Sequence, residues 1–286
     1  MSLENRDIMS CEESWRLFYD TMNHAETSPA APPWQVEALR LTAFVPPDAA
    51  PAPESWWAEL TGQPPERQVS RPREGQWETD GPLARPDLGA ARLVLTTKRG
   101  RVEWLLVPEL ASEGWPVDIE SAHLGPLSDA LPAFSQMMRG WFLVASLDMT
   151  RLALGATLRF PVETREAAYS VISRYLPFSL PPASSDFLYR INRPRPSTSL
   201  GDDTTINRLA TWAVIRVEAL RIAVPRSGAG TQAVSREGEP FLACRLELDI
   251  NTAADRPGTL PPDRLDALLA EFGNLAIEIA VEGDKP

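Results

Sequence analysis

The sequence predicts an α+β fold made of two similar β-α-β-β-β-α units. Their strands form largely antiparallel sheet with long helices on one face, and a further helix lies at the N-terminus. Three observations predict this. Residues 152–160 set Leu152, Leu154, Ala156, Leu158 and Phe160 at a period of two, the pattern of a strand with one buried face. Residues 127–145 set Leu127, Leu131, Phe134, Met138, Trp141 and Ala145 at steps of three and four, the pattern of an amphipathic helix. Each half of the chain then runs strand, helix, several strands, helix. The expected division is an N-terminal helix and linker at 1–33, a first unit at 34–148 and a second at 149–286.

Taken in order, Ser10 and Glu13 form a capping box, and Cys11, Trp15, Phe18, Tyr19 and Met22 follow at helical spacing. A Pro/Ala linker covers 27–33. Residues 34–45 read as a strand whose alternation slips: Val36 and Ala38 share one face, while Leu39, Leu41 and Val45 need the other. A bulge, or burial of both faces, reconciles them. A short helix at 54–60 carries Trp56 and Trp57. Within the proline-rich stretch that follows, 67–79 contains an edge strand. Residues 92–97 and 102–107 flank Gly100, which supplies the positive φ of a tight hairpin. The long helix comes next, with Ser128 as candidate N-cap and Pro132 near its start.

In the second unit, Thr164 caps a helix carrying Ala168, Val171, Ile172, Tyr175 and Leu176, stopped by Pro181 and Pro182. Residues 187–191 form a short strand. Residues 212–224 form a long one whose buried face switches between Ala219 and Leu220, which predicts a bulge there. Leu242, Cys244, Leu246, Leu248 and Ile250 mark the clearest strand, reached through a Gly/Ser-rich loop at 227–238. The last helix carries Leu265, Leu268, Leu269, Phe272, Leu275 and Ile279, with Asp263 and Asp266 placed to favour its dipole.

The totals suit a folded chain. Of 286 residues, 43% are apolar and 23% charged, and the 28 prolines punctuate connections. The nine tryptophans either anchor cores or mark a contact surface. A net charge of −11 repels nucleic acid and anionic lipid on average. No apolar run approaches a membrane span, and the polar, acidic start is unlike a signal peptide, so a cytoplasmic protein without membrane contact is expected. The Ala/Arg/Pro bias suggests a bacterial source. Cys11 and Cys244 fall on apolar faces and read as small buried hydrophobes, with a disulfide as the alternative.

Thr150-Arg-Leu-Ala-Leu-Gly-Ala-Thr-Leu-Arg-Phe-Pro161, Leu246-Glu-Leu-Asp-Ile-Asn251 and the helix at 265–279 with its Phe272 resemble motifs of an uncharacterised, sporadically distributed bacterial family. The first resembles that family's "RLGLRY-N-R" strand opening and the second its "LDID" strand end. Thr157 and Phe160-Pro161 depart from the family's tyrosine and asparagine. The resemblance covers about half the chain. It implies two α+β repeats and no assigned activity.

Several chemistries lack their residues. Gly228-Ala229-Gly230 has no following Gly and Lys and lies in a hairpin loop, so it is not a phosphate-binding loop. There is no G-x-S-x-G elbow. His24 and His123 are the only histidines, and both read as solvated. No cofactor is expected. Asp202, Asp203, Asp249 and Asp255 are the carboxylates that a divalent metal would use, with Asn251 beside Asp249 on a strand face; the simpler reading is local backbone bonding at strand ends. Lys98, Arg99 and Arg101 read as a solvated turn. Arg190, Arg193 and Arg195, with Tyr189 and Asn192 among them and Arg208 nearby, form the densest basic patch. Arginine forks suit phosphates and carboxylates, and pairing with the chain's own excess acid is the plainer role.

The expected function is therefore a non-enzymatic subunit that docks another protein or self-associates, with residues 189–195 as the candidate binding patch. One alternative is a nucleic-acid module using a sheet face and that patch. Another is a carboxylate metal-dependent hydrolase.

Overall fold

Alternating apolar and polar side chains build one continuous sheet of ten strands, and all their pairings are antiparallel. A computed structural model describes residues 34–47, 53–71, 74–85, 87–109, 122–223 and 233–284, with the backbone alone for Pro53, Glu54, Ala84, Asp202, 219–223 and 233–239. The expected N-terminal helix, with Cys11 and His24, lies outside the described residues.

The elements run β1 (Gln35–Phe44), α1 (Pro53–Thr61), β2 (Arg67–Arg71), β3 (Gln76–Ala84), β4 (Ala90–Lys98), β5 (Arg101–Pro108), α2 (Leu127–Ala145), β6 (Arg151–Val162), α3 (Arg165–Ile172), β7 (Leu188–Asn192), β8 (Arg195–Ser197), β9 (Gly201–Ala223), β10 (Ala233–Thr252) and α4 (Leu265–Glu282). The sheet order is β2-β3-β4-β5-β1-β6-β10-β9-β7, with β8 pairing β9. The architecture is α+β with a large antiparallel sheet and four helices among the described residues.

All four helices pack on one face. Leu39, Leu41, Leu93, Leu95, Trp104, Leu152, Leu154, Leu158, Leu246 and Ile250 point into that layer and are buried. The helices meet them with Trp57, Phe134, Trp141, Ile172, Leu268 and Phe272. Trp57 stacks on Trp104 at 6.3 Å between centroids, and Trp104 meets Trp141 edge-on at 6.0 Å. Trp34, Trp56 and Trp212 are also buried, while Trp77 is 41% exposed. Six of the seven described tryptophans are therefore core anchors.

Several local expectations are corrected. The bulge of β1 is real and lies between Val36 and Ala38. The bulge expected between Ala219 and Leu220 is not there: both stay in register, and the ladder shifts between Glu237 and Phe241 of β10. Pro240 lies within that shift, and a residue without an N–H fits where a ladder is interrupted. Of the loop expected at 227–238, residues 233–238 belong to β10, and 227–232 lie outside the described residues. The stretch 67–79 yields an edge strand, β2, and its neighbour β3. The N-cap of α2 is Pro126, while the Ser128 hydroxyl bonds the Asp129 carboxylate. Thr164 does cap α3, its side chain accepting from the Ala167 N–H at 3.1 Å.

Candidate functional site

The basic patch is split by the pleat of β7. Successive side chains of a strand point to opposite faces, so Tyr189 turns toward the helices while Arg190 and Asn192 turn away. Tyr189 Oη donates to Asp284 Oδ2 at 2.7 Å. Arg193 grips the same carboxylate with Nε and Nη2. Arg195 donates to Glu278 Oε2 at 2.9 Å, and Arg208 to Glu278 Oε1 at 2.8 Å. Three of the four arginines are thus spent on the acid at the end of α4.

That end is shaped by Gly283. Its φ is +79°, and a Cβ there would come 2.2 Å from the Tyr175 carbonyl oxygen. Only glycine lets the chain pass so close and deliver Asp284 into a buried position, where its N–H bonds Tyr175 O at 2.7 Å. Burial opposes the Asp284 charge, but hydrogen bonds from Arg193 and Tyr189 outweigh it and hold the carboxyl below its ordinary range. Glu271 of α4 is treated alike. Burial opposes its charge, and donors from Ser199, Thr198 and Ser197 prevail, again holding the carboxyl down.

On the opposite face the sheet carries no helix among the described residues. Cross-strand register brings Arg40 (β1), Gly155 (β6), Asp249 (β10) and Leu209 (β9) into one row. The next row holds Thr157, Glu247, Thr211 and Arg190. Small residues at the centre and Leu105, Leu188 and Leu209 at the sides leave a groove of about 500 Å³. Arg40 lies flat across its floor: a Cβ on Gly155 would sit 3.2 Å from the Arg40 Nε and Nη2. Leu188 on the wall is 69% exposed.

The groove's charges are not equally committed. Glu247 accepts from Arg245 at 3.0 Å. Asp249 accepts from Asn251 at 2.9 Å through one oxygen, and Asn251 in turn bonds Arg151 and Asn207. Arg40 has only a 3.9 Å approach to Glu103. That carboxylate is already held by Thr42 at 3.1 Å and by Arg101. Arg101, expected in a solvated turn, is therefore an ion-pair partner. Among the described residues the Arg190 side chain has no hydrogen-bond or ion-pair partner.

The remaining candidates fall elsewhere. Asp203 and Asp255 are exposed. Among the described residues no group of three or more His, Cys, Asp or Glu side chains is placed to hold a metal ion. His123 Nδ1 accepts from the Gly125 N–H at 2.9 Å, and burial, with the nearby Arg159 charge, lowers its pKa. Cys244 is a buried free thiol whose pKa burial pushes up to about 12. Among the described residues no helix is long and apolar enough to cross a membrane. The sequence puts Tyr189, Arg190, Asn192, Arg193 and Arg195 into one patch, which the pleat of β7 divides between two faces, and it gives no grouping of Arg190 with Arg40, Gly155, Leu188 and Leu209. Gly155 was the available signal, because a glycine inside a strand often marks a close approach. No protein-family model matches the chain, and no curated protein matches it.

Proposed function

We propose that the protein is a non-enzymatic binding subunit that docks a protein partner on the open face of its sheet. One observation carries this reading. The centre of a face that no described helix covers is a groove with an exposed leucine wall and an arginine, Arg190, whose charge nothing described there answers. Structural use of Arg193, Arg195 and Arg208 supports the plainer role for those residues and leaves little of the patch for phosphates. The −11 net charge also disfavours nucleic acid.

The proposal places the protein in the cytoplasm and treats its halves as a repeat of one β-α-β-β-β-α plan. In support of the repeat, β1 and β6 meet at the sheet centre. From them β5, β4 and β3 extend one way and β10, β9 and β7 the other, with a helix after β1 and after β6 and another closing each half. The same plan is what the resemblance at 150–161 implies.

The test is a photo-crosslinking residue at Leu188, with one at Leu143, 87% exposed at the end of α2, as control. The expected result is a discrete protein adduct from Leu188 in cells of the source organism and none from Leu143. Identical adducts from both positions, or none, overturn the reading. Nucleic-acid binding tighter than about micromolar at physiological salt, lost on Arg190→Ala, overturns it too.

A further inference from the structure

We infer that the groove takes an extended segment of the partner carrying acidic, basic and acidic side chains at alternate positions. This rests on the docking reading above and adds what the docked segment must look like.

Across the sheet the groove presents a cation, an anionic floor and a cation: Arg40, then Asp249 and Glu247, then Arg190. Glu247 is answered by Arg245, and only one oxygen of Asp249 is used by Asn251. The free capacity is therefore the outer nitrogens of Arg40, the whole of Arg190 and one carboxylate oxygen between them. A ligand that satisfies all three offers an anion, a cation and an anion in that order. A second copy of the same face offers the opposite order and sets like charges against each other, so it fits poorly.

Distance selects an extended chain. Because Arg40 folds over Gly155, its head stands above β6 and not above its own strand. From β6 to β7 is three strand spacings, about 14 Å, and Arg190 stands one row, about 7 Å, further along, so the backbones are about 16 Å apart on the diagonal, a difference the long arginine side chain can take up. Four residues of extended chain span about 13–14 Å, and positions i, i+2 and i+4 face one way. Positions i+1 and i+3 of such a segment point away from the floor, while Leu105, Leu188 and Leu209 offer apolar contact to the aliphatic stems of the side chains that face it. Glycine at 155 also has a role here. Strand interiors disfavour it, but a Cβ at that point would press on the Arg40 guanidinium and shift it by a few tenths of an ångström.

The probes are two blocked peptides, Ac-Glu-Leu-Lys-Leu-Glu-NH2 and its charge reversal Ac-Lys-Leu-Glu-Leu-Lys-NH2, titrated into the full chain at low salt by calorimetry. The first is expected to bind at least tenfold more tightly than the second. Arg190→Glu should remove that preference, and Gly155→Ala should weaken it while leaving the melting temperature near that of the wild type. Equal binding of both peptides, or no binding of either at millimolar concentration, overturns the inference. Free glutamate competing as well as the peptide also overturns it, because the site is then one for small carboxylates. The Leu188 crosslink separates the two failures. An adduct that persists while the peptides fail leaves the docking face standing and removes only this charge pattern.

Discussion

Arg190 and Arg193 are three residues apart, yet they belong to different environments. Arg193 closes on a buried carboxylate beneath the helices, where Asp284 is also held by Tyr189. Arg190 stands on the open face beside Leu188 with no described partner. The contrast extends to the whole sheet. One face is an apolar layer of Leu, Ile and Trp, at whose edge Asp284 and Arg208 are buried and paired. The other is a polar lattice centred on Asn251, Asp249 and Arg151 with a depression at its middle. Charge on the first face holds the fold together, whereas the second keeps, beside its own paired charges, an Arg190 side chain and an Asp249 oxygen without a described partner.

The largest contrast is expected from two substitutions one residue apart on β10. Leu246→Asp puts a carboxylate into the layer that Leu246 fills with no exposure. It should cost several kcal/mol, about the stability of a domain, and leave little soluble protein. Glu247→Ala, on the open face, should stay within about 0.5 kcal/mol. Similar denaturation midpoints for the two would mean that the faces do not differ as described.

Next in size is the end of α4. Asp284→Ala strands Tyr189 and Arg193, and a loss of about 2–3 kcal/mol is expected in urea unfolding. Gly283→Ala should act in the same direction, because its methyl group has no room against Tyr175. If Asp284→Ala unfolds at the wild-type urea concentration, the clasp is ornamental.

Acid should find the same place. The folded-state carboxyls of Asp284 and Glu271 are held down. Their stabilisation is complete above the unfolded values, about 4, and is lost as the pH falls below them through the depressed folded values. Asp284→Asn should therefore flatten the decline of the urea midpoint between neutral pH and about pH 3. An unchanged slope would assign the acid sensitivity to other groups.

The arginines give a smaller and more telling difference. Arg193→Ala should cost about 1–3 kcal/mol by leaving a buried carboxylate less answered. Arg190→Ala should change stability by no more than about 0.5 kcal/mol. Equal costs would erase the distinction between the two faces at β7.

Most of the covered face was legible in the sequence. The strands at 151–162 and 242–252 and the helices at 127–145 and 265–282 announce themselves through periodicity, because a half-buried element must repeat its apolar side chains. Even the bulge of β1 showed as a slipped alternation between Val36 and Leu39. The open face was much less legible. Its residues are the polar halves of the same alternations, and nothing local tells Arg190, left free, from Arg195, paired to Glu278 across 83 positions. The groove is a property of register: Arg40 and Gly155 lie 115 positions apart and meet only because β1 pairs β6. Pattern reading finds which residues face together along one strand, but not which strands lie side by side. Composition left the nine tryptophans open between core anchors and a contact surface, and packing places most of those described in the core.

The sheet order also has a kinetic consequence. The strand at the middle, β6, takes one neighbour from β1 and the other from β10, about 90 positions further along the chain. As the chain leaves the ribosome, β1 and β5 can pair early, and β6 can add to β1. One long edge of β6, rich in Leu and Ala, then waits while α3, β7, β8 and β9 are made. Only when β10 arrives and slides between β6 and β9 is that edge sealed. Such an open template invites pairing with other chains. Refolding should therefore be limited by insertion of β10 and show non-local, slow kinetics. During synthesis the interval before residue 242 is when the chain most needs protection from its neighbours.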